Sequence, residues 1–150
     1  MIEAARNQDH AAVRAVLREP GDVNAPQPDG ATALHWAVHW EDLDLTDLLI
    51  GAGADVNVAN DLGVTPLAMA CSNGNAALVG SLLAAGADAN TTLASGQTAL
   101  MAAARVGSLE AVDALVEGGA DVNATETTRG QSALMWAVAN RHPEVTRTLL

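Results

Sequence analysis

Residues 60–92 carry two short apolar bursts set apart by polar punctuation. Thr65-Pro66 reads as a helix start: Thr is a good N-cap, and Pro is tolerated at the first helical position, where its missing N–H costs nothing. Leu67, Ala68, Met69, Ala70 and Cys71 then form a short apolar helix. Ser72-Asn73-Gly74 ends it, with Gly suited to the left-handed position after a helix. Ala77, Leu78, Ser81, Leu82 and Leu83 give an i, i+4, i+5 stripe on a second helix, which Gly86 closes. Ala87-Asp88-Ala89-Asn90 leads away, and Leu93-Ala94-Ser95-Gly96 makes a turn before the next N-cap, Thr98.

The same pattern recurs. GAGADVN at 51–57 returns as AAGADAN at 84–90 and EGGADVN at 117–123. Asp22, Asp55, Asp88 and Asp121 stand 33 residues apart, and Gly30, Gly63, Gly96 and Gly130 follow at steps of 33, 33 and 34. A helix–turn–helix–loop unit of this size does not bury its apolar faces alone, whereas stacked neighbours do. The Asp and Asn of each exit are expected to hold the following turn through side-chain to backbone bonds. The units are expected at 1–26 (an N-terminal partial unit), 27–59, 60–92, 93–125 and 126–150 (a truncated one).

Asp29-Gly30-Ala31-Thr32-Ala33-Leu34-His35, Gly63-Val64-Thr65-Pro66-Leu67-Ala68, Gly96-Gln97-Thr98-Ala99-Leu100-Met101 and Gly130-Gln131-Ser132-Ala133-Leu134-Met135 resemble the G-x-T-P-L-H signature of ankyrin repeats. With the A-D-V-N exits, the resemblance covers the whole chain. It implies an all-α repeat solenoid of paired antiparallel helices with β-hairpin fingers and a concave groove. Departures are informative. Glu41 and Arg141 replace the usual Gly after the first helix, so longer or helical turns are expected there. One extra residue at Glu126–Arg129 predicts a bulge in the last finger. The first unit presents Arg6, Asn7, Gln8, Asp9, Arg14 and Arg18 as a polar outer face, whereas Leu149 and Leu150 are expected to lie bare and to favour self-association at the C-terminal end.

Composition narrows the partner. Aromatic residues make up 2% of a chain that is 49% apolar, which suits a thin core of closely stacked helices. The net charge is −11, and no Lys or Arg lies between Glu19 and Ala104. Nucleic acid and anionic membrane surfaces would be repelled, which leaves a protein partner, a basic one among the options. No apolar run approaches the roughly 20 residues that span a bilayer, and MIEAARNQDH lacks the layout of a signal peptide. A soluble, cytoplasmic protein is favoured, with export after signal removal left open.

Candidate chemistry is sparse. His35 is a general base or ligand on one reading; on the other, which the resemblance implies, it is a helix-start histidine tying neighbouring loops. His39-Trp40-Glu41-Asp42-Leu43-Asp44 holds one imidazole and three carboxylates, read as a divalent-cation loop or as a solvated acidic helix start. Cys71 is the only cysteine and stands where the repeat otherwise places small apolar residues. No phosphate loop and no catalytic, metal or cofactor constellation is found.

The positions that the family leaves variable are the finger tips and the exposed end of each first helix. Here those include Asp29, Ala31, His39, Trp40, Asp61, Leu62, Val64, Asn73, Gln97, Arg105, Arg129 and Asn140. The expected function is a non-enzymatic protein–protein interaction module gripping a partner with an apolar anchor flanked by basic residues. The alternative is a recognition or regulatory part of a longer enzyme or effector.

Overall fold

The helices begin where polar caps meet the apolar bursts. The computed structural model describes all 150 residues as five helix pairs: α1 Ile2–Arg6 and α2 His10–Val16, α3 Ala33–His39 and α4 Leu43–Gly51, α5 Pro66–Asn73 and α6 Ala76–Ala84, α7 Ala99–Val106 and α8 Leu109–Glu117, α9 Ala133–Ala139 and α10 Pro143–Thr148. Thr65, Thr98 and Ser132 cap the first helices by accepting from Ala68, Met101 and Met135. Asp9, Asp42 and Asn75 cap the second helices α2, α4 and α6. Each cap satisfies an N–H that the helix leaves orphaned.

First helices stack on first helices, α1 to α3 to α5 to α7 to α9, and second helices form a parallel layer from α4 through α6 and α8 to α10. Ala33, Ala37, Ala70, Ala103 and Ala137 have no or almost no exposed surface at the contacts of the first layer. Small side chains there let neighbouring helices approach closely. Cys71 is buried among them with no exposed surface, and burial pushes its thiol pKa up to about 12, so it serves as a small apolar residue.

The turns at Glu41 and Arg141 are longer, as expected, by one residue: three residues separate α3 from α4 and α9 from α10, against two between α5 and α6 and between α7 and α8. Glu41 and Arg141 adopt φ of +56° and +61°, the left-handed conformation that Gly74 and Gly107 take at +73° and +85°. The stack imposes the turn, and Glu41 and Arg141, with Gln8 at +56° in the first unit, comply although poorly suited to it. Leu149 is a correction: it is half-buried against the core, and Leu150 alone is bare at 89% exposed.

Units are joined by a ladder of asparagines. Asn24, Asn57 and Asn90 donate through Nδ2 to the carbonyls of Gly53, Gly86 and Gly119 at 3.3, 3.0 and 3.0 Å. Their Oδ1 atoms accept from the N–H groups of Asp55, Asp88 and Asp121 at 2.7, 2.8 and 2.7 Å. Each asparagine therefore bonds the exit loop one unit on, while the aspartate beside it accepts from the asparagine N–H two residues later. A second tie is His35, 2% exposed, whose Nε2 lies 3.0 Å from the Val64 carbonyl of the next unit. Its Nδ1 accepts from the Thr32 N–H at 3.1 Å, so the proton resides on Nε2.

Two outcomes are expected. Asn57→Ala removes both ladder bonds between two units and should lower stability by about 1–2 kcal/mol in chemical denaturation; a loss under about 0.3 kcal/mol would contradict the ladder. Burial lowers the His35 pKa, against the opposing pull of the Val64 carbonyl and the Asp29 charge. The folded chain thus keeps His35 neutral while the unfolded chain takes a proton below about pH 6.5. Stability is full above that pH and is lost as pH falls toward the folded value. The denaturation midpoint should drop between pH 7.5 and 5.5, and His35→Gln should flatten that dependence.

Candidate functional site

Four fingers reach out ahead of the first helices, at residues 27–31, 60–64, 93–97 and 126–131. Hairpin pairing in them is slight: the only bridges are Thr92 with Thr98 and Thr125 with Ser132. In the first three, the tip Gly N–H bonds back three residues, from Gly30 to Gln27, Gly63 to Asn60 and Gly96 to Leu93. The extra residue in the fourth widens this to four, from Gly130 to the Glu126 carbonyl at 3.1 Å. The expected bulge is filled by the Glu126 carboxylate, 6% exposed, which accepts from the N–H groups of Thr128, Arg129 and Gln131 at 2.5, 2.8 and 3.1 Å. Burial alone would raise the pKa of this carboxyl, but the N–H groups of Gln131, Thr128 and Arg129 together hold it below the ordinary value.

Neighbouring fingers join in pairs. The Asp61 N–H donates to the Asp29 carbonyl at 2.9 Å, and the Thr127 N–H to the Ser95 carbonyl at 2.9 Å. No such bond links the second finger to the third. The spacing differs accordingly: a Cβ on Gly30 would meet Asp61 N at 3.0 Å and one on Gly96 Thr127 N at 3.3 Å, whereas one on Gly63 would find its nearest neighbour, Ala94 N, at 4.0 Å. A seam therefore divides the finger face into two halves, each holding one cleft.

The first cleft, about 140 Å³, lies between the first two fingers and helices α3 and α5. Ala31, His35, Trp36, His39, Asn60 and Met69 line it. His39 stands edge-on to both neighbouring indoles, with ring centroids 5.5 Å from Trp36 and 4.8 Å from Trp40. Arg6 lies 6.0 Å from the Trp36 ring centroid, and its carbonyl accepts from the Trp40 indole N–H at 2.9 Å. Trp40 is thus fastened to the first unit while remaining 43% exposed.

The second cleft, about 310 Å³, lies between the last two fingers, and Trp136 is the one hydrophobic residue in its lining. Gln97, Arg129 and Gln131 line it, over Glu126 and Trp136. Trp136 repeats the half-buried placement of Trp36, with one difference. The Trp36 N–H donates to Gln27 at 3.2 Å, whereas the buried Trp136 N–H has no acceptor. Glu126 stands at the place of Gln27, three units on, but its carboxylate is turned to the finger N–H groups.

The structure brings His39 and Trp40 together beside the first cleft and Gln97 and Arg129 together at the second. Asp29, Asp61 and Leu62 sit on the finger tips, Leu62 at 78% exposed. Ala31 is a correction: it is 8% exposed, wedged behind the finger, and contributes a wall of the cleft. Val64 is half-buried and accepts from His35 through its carbonyl. Asn73 and Arg105 lie exposed toward the ends of α5 and α7, and Asn140 folds back to donate to the Trp136 carbonyl at 2.8 Å. Asn60, Met69 and Trp136 were not among the expected contact residues. The period offered a signal for Glu126, a charged residue where the same register holds Gln27, Asn60 and Leu93.

Two of the three carboxylates in the His39–Asp44 run are otherwise engaged. Asp42 caps α4 and lies 2.5 Å from His10 Nε2, so it joins the first two units. Glu41 accepts from Asn75 and Asp47 from Ser81. No group of three or more His, Cys, Asp or Glu side chains is placed to hold a metal ion. No helix is long and apolar enough to cross a membrane.

Comparison with known proteins agrees with this geometry. None of the curated proteins matches the chain. The family model for ankyrin repeats (three copies) matches residues 1–92 and 67–150. Stacked helix pairs, left-handed turns and fingers at a period of 33 are accounted for together: the chain belongs to the ankyrin repeat family, whose members generally serve as protein–protein interaction modules.

Proposed function

We propose that this chain is a non-catalytic binding module that grips another protein along its finger face, seating an apolar side chain of the partner in the first cleft. The observation that carries the reading is the chemistry of that cleft. Its walls are the Trp36 indole, Met69 and the His39 ring, and its size suits one leucine or methionine side chain. The finger tips above it carry Asp29 and Asp61, both exposed, in a stretch without a single cation. An apolar anchor buries area against the walls, and basic residues beside it meet the two carboxylates. Trp40, beside His39, and Leu62, on the second finger, add exposed apolar area on the same units, in keeping with the aromatic anchors of protein interfaces.

The test uses capped pentapeptides with Leu or Ser between paired lysines, Ac-KKLKK-NH2 and Ac-KKSKK-NH2, followed by the Trp36 indole resonance. The leucine peptide should bind about tenfold more tightly. Asp61→Lys should weaken it about fivefold. Equal affinities for the two peptides would refute the apolar anchor. An unchanged affinity in Asp61→Lys would refute the acidic rim.

A further inference from the structure

The second cleft has the opposite chemistry, and its partner group follows from counting donors and acceptors; the inference rests on the reading of the chain as a protein-binding module. The one carboxylate there, Glu126, is spent on three backbone N–H groups and is 6% exposed. Arg129 has no ion-pair partner, since the ion pairs of the chain are His10 with Asp42 and Arg147 with Glu144. Of the arginines without an ion-pair partner, Arg129 is the one that lines this cleft. The side-chain amides of Gln97 and Gln131 make no hydrogen bond within the chain, although their backbone N–H groups do. Trp136 adds a buried indole N–H without an acceptor. The cleft therefore offers one guanidinium, which can only donate, and two carboxamides, which can turn their N–H groups toward a guest.

We propose that this cleft receives a carboxylate of the protein partner, an aspartate or glutamate side chain paired with Arg129 and flanked by the amides of Gln97 and Gln131. A guanidinium fork matches a carboxylate through two parallel N–H···O bonds. The charge of Glu126 opposes such a guest only weakly, because its oxygens are already held by N–H dipoles. The seam between the second and third fingers separates this cleft from the first, so the two together set a direction. The partner lies with its basic, apolar-anchored part over the first two fingers and its acidic part over the last two.

The full chain, labelled with nitrogen-15, is titrated at low salt with a capped hexaglutamate peptide. Bound hexaglutamate should shift the side-chain amide resonances of Gln97 and Gln131 and the indole resonance of Trp136, and leave those of Trp36 and Trp40 in place. Arg129→Gln should weaken that binding about tenfold. Shifts absent from the cleft, or an affinity within about twofold in Arg129→Gln, would overturn the proposal. So would the same pattern with inorganic phosphate at equal concentration, which would mark a surface that attracts any anion. Neither result bears on the lysine–leucine peptide at the first cleft, so this inference and the binding-module reading fail separately.

Discussion

No unit of this chain encloses its own core, and everything else follows from that dependence. The positions of Met101 and Ala104 on α7 recur as Met135 and Val138 on α9. The first two are fully buried because α9 packs over them; the second two, with no helix packed over them here, are 54% and 58% exposed. Burial is thus a property of the contact between units, supplied to each by its neighbour. The alanine-rich inner layer makes the contact close, and the Asn24, Asn57 and Asn90 bonds hold each exit loop in register with the next.

This dependence also shapes the binding surface. Fingers are short, nearly without strand pairing, and would be poorly ordered if free. They are held from behind by the stack: His35 bonds the second finger from α3, and backbone bonds tie the first finger to the second and the third to the fourth. The clefts form where fingers are paired. Their chemistry comes in part from side chains that carry no structural burden of their own, such as those of Gln97 and Arg129. A regular scaffold thereby holds an apolar site and an arginine-bearing one apart along one face.

Most of the fold was legible in the letters, because caps, apolar bursts and glycines repeat at a fixed period and each repetition reinforces the others. What was not legible depends on contacts across units. The left-handed turns at Glu41 and Arg141 run against residue preference and are imposed by the stack. The asparagines read locally as turn formers, yet their partners lie 29 and 31 residues away. The site was legible only as a set of variable positions. Trp40 stood out as the largest of them, but its indole N–H is engaged by Arg6, and Ala31 is walled in. Glu126 and Trp136 were missed because their roles arise from one inserted residue, which turns a side chain away from the partner that Gln27 serves in an earlier unit.

Native-state amide hydrogen exchange tests the dependence between units most directly. If each unit is stabilised by its neighbours, protection should be greatest in α5 and α7, which are covered on both sides. It should fall toward α1 at one end and α9 and α10 at the other, where opening leaves fewer contacts behind. A uniform level of protection along the chain, or α9 and α10 protected as strongly as α5, would mean that units hold themselves together and would contradict the account.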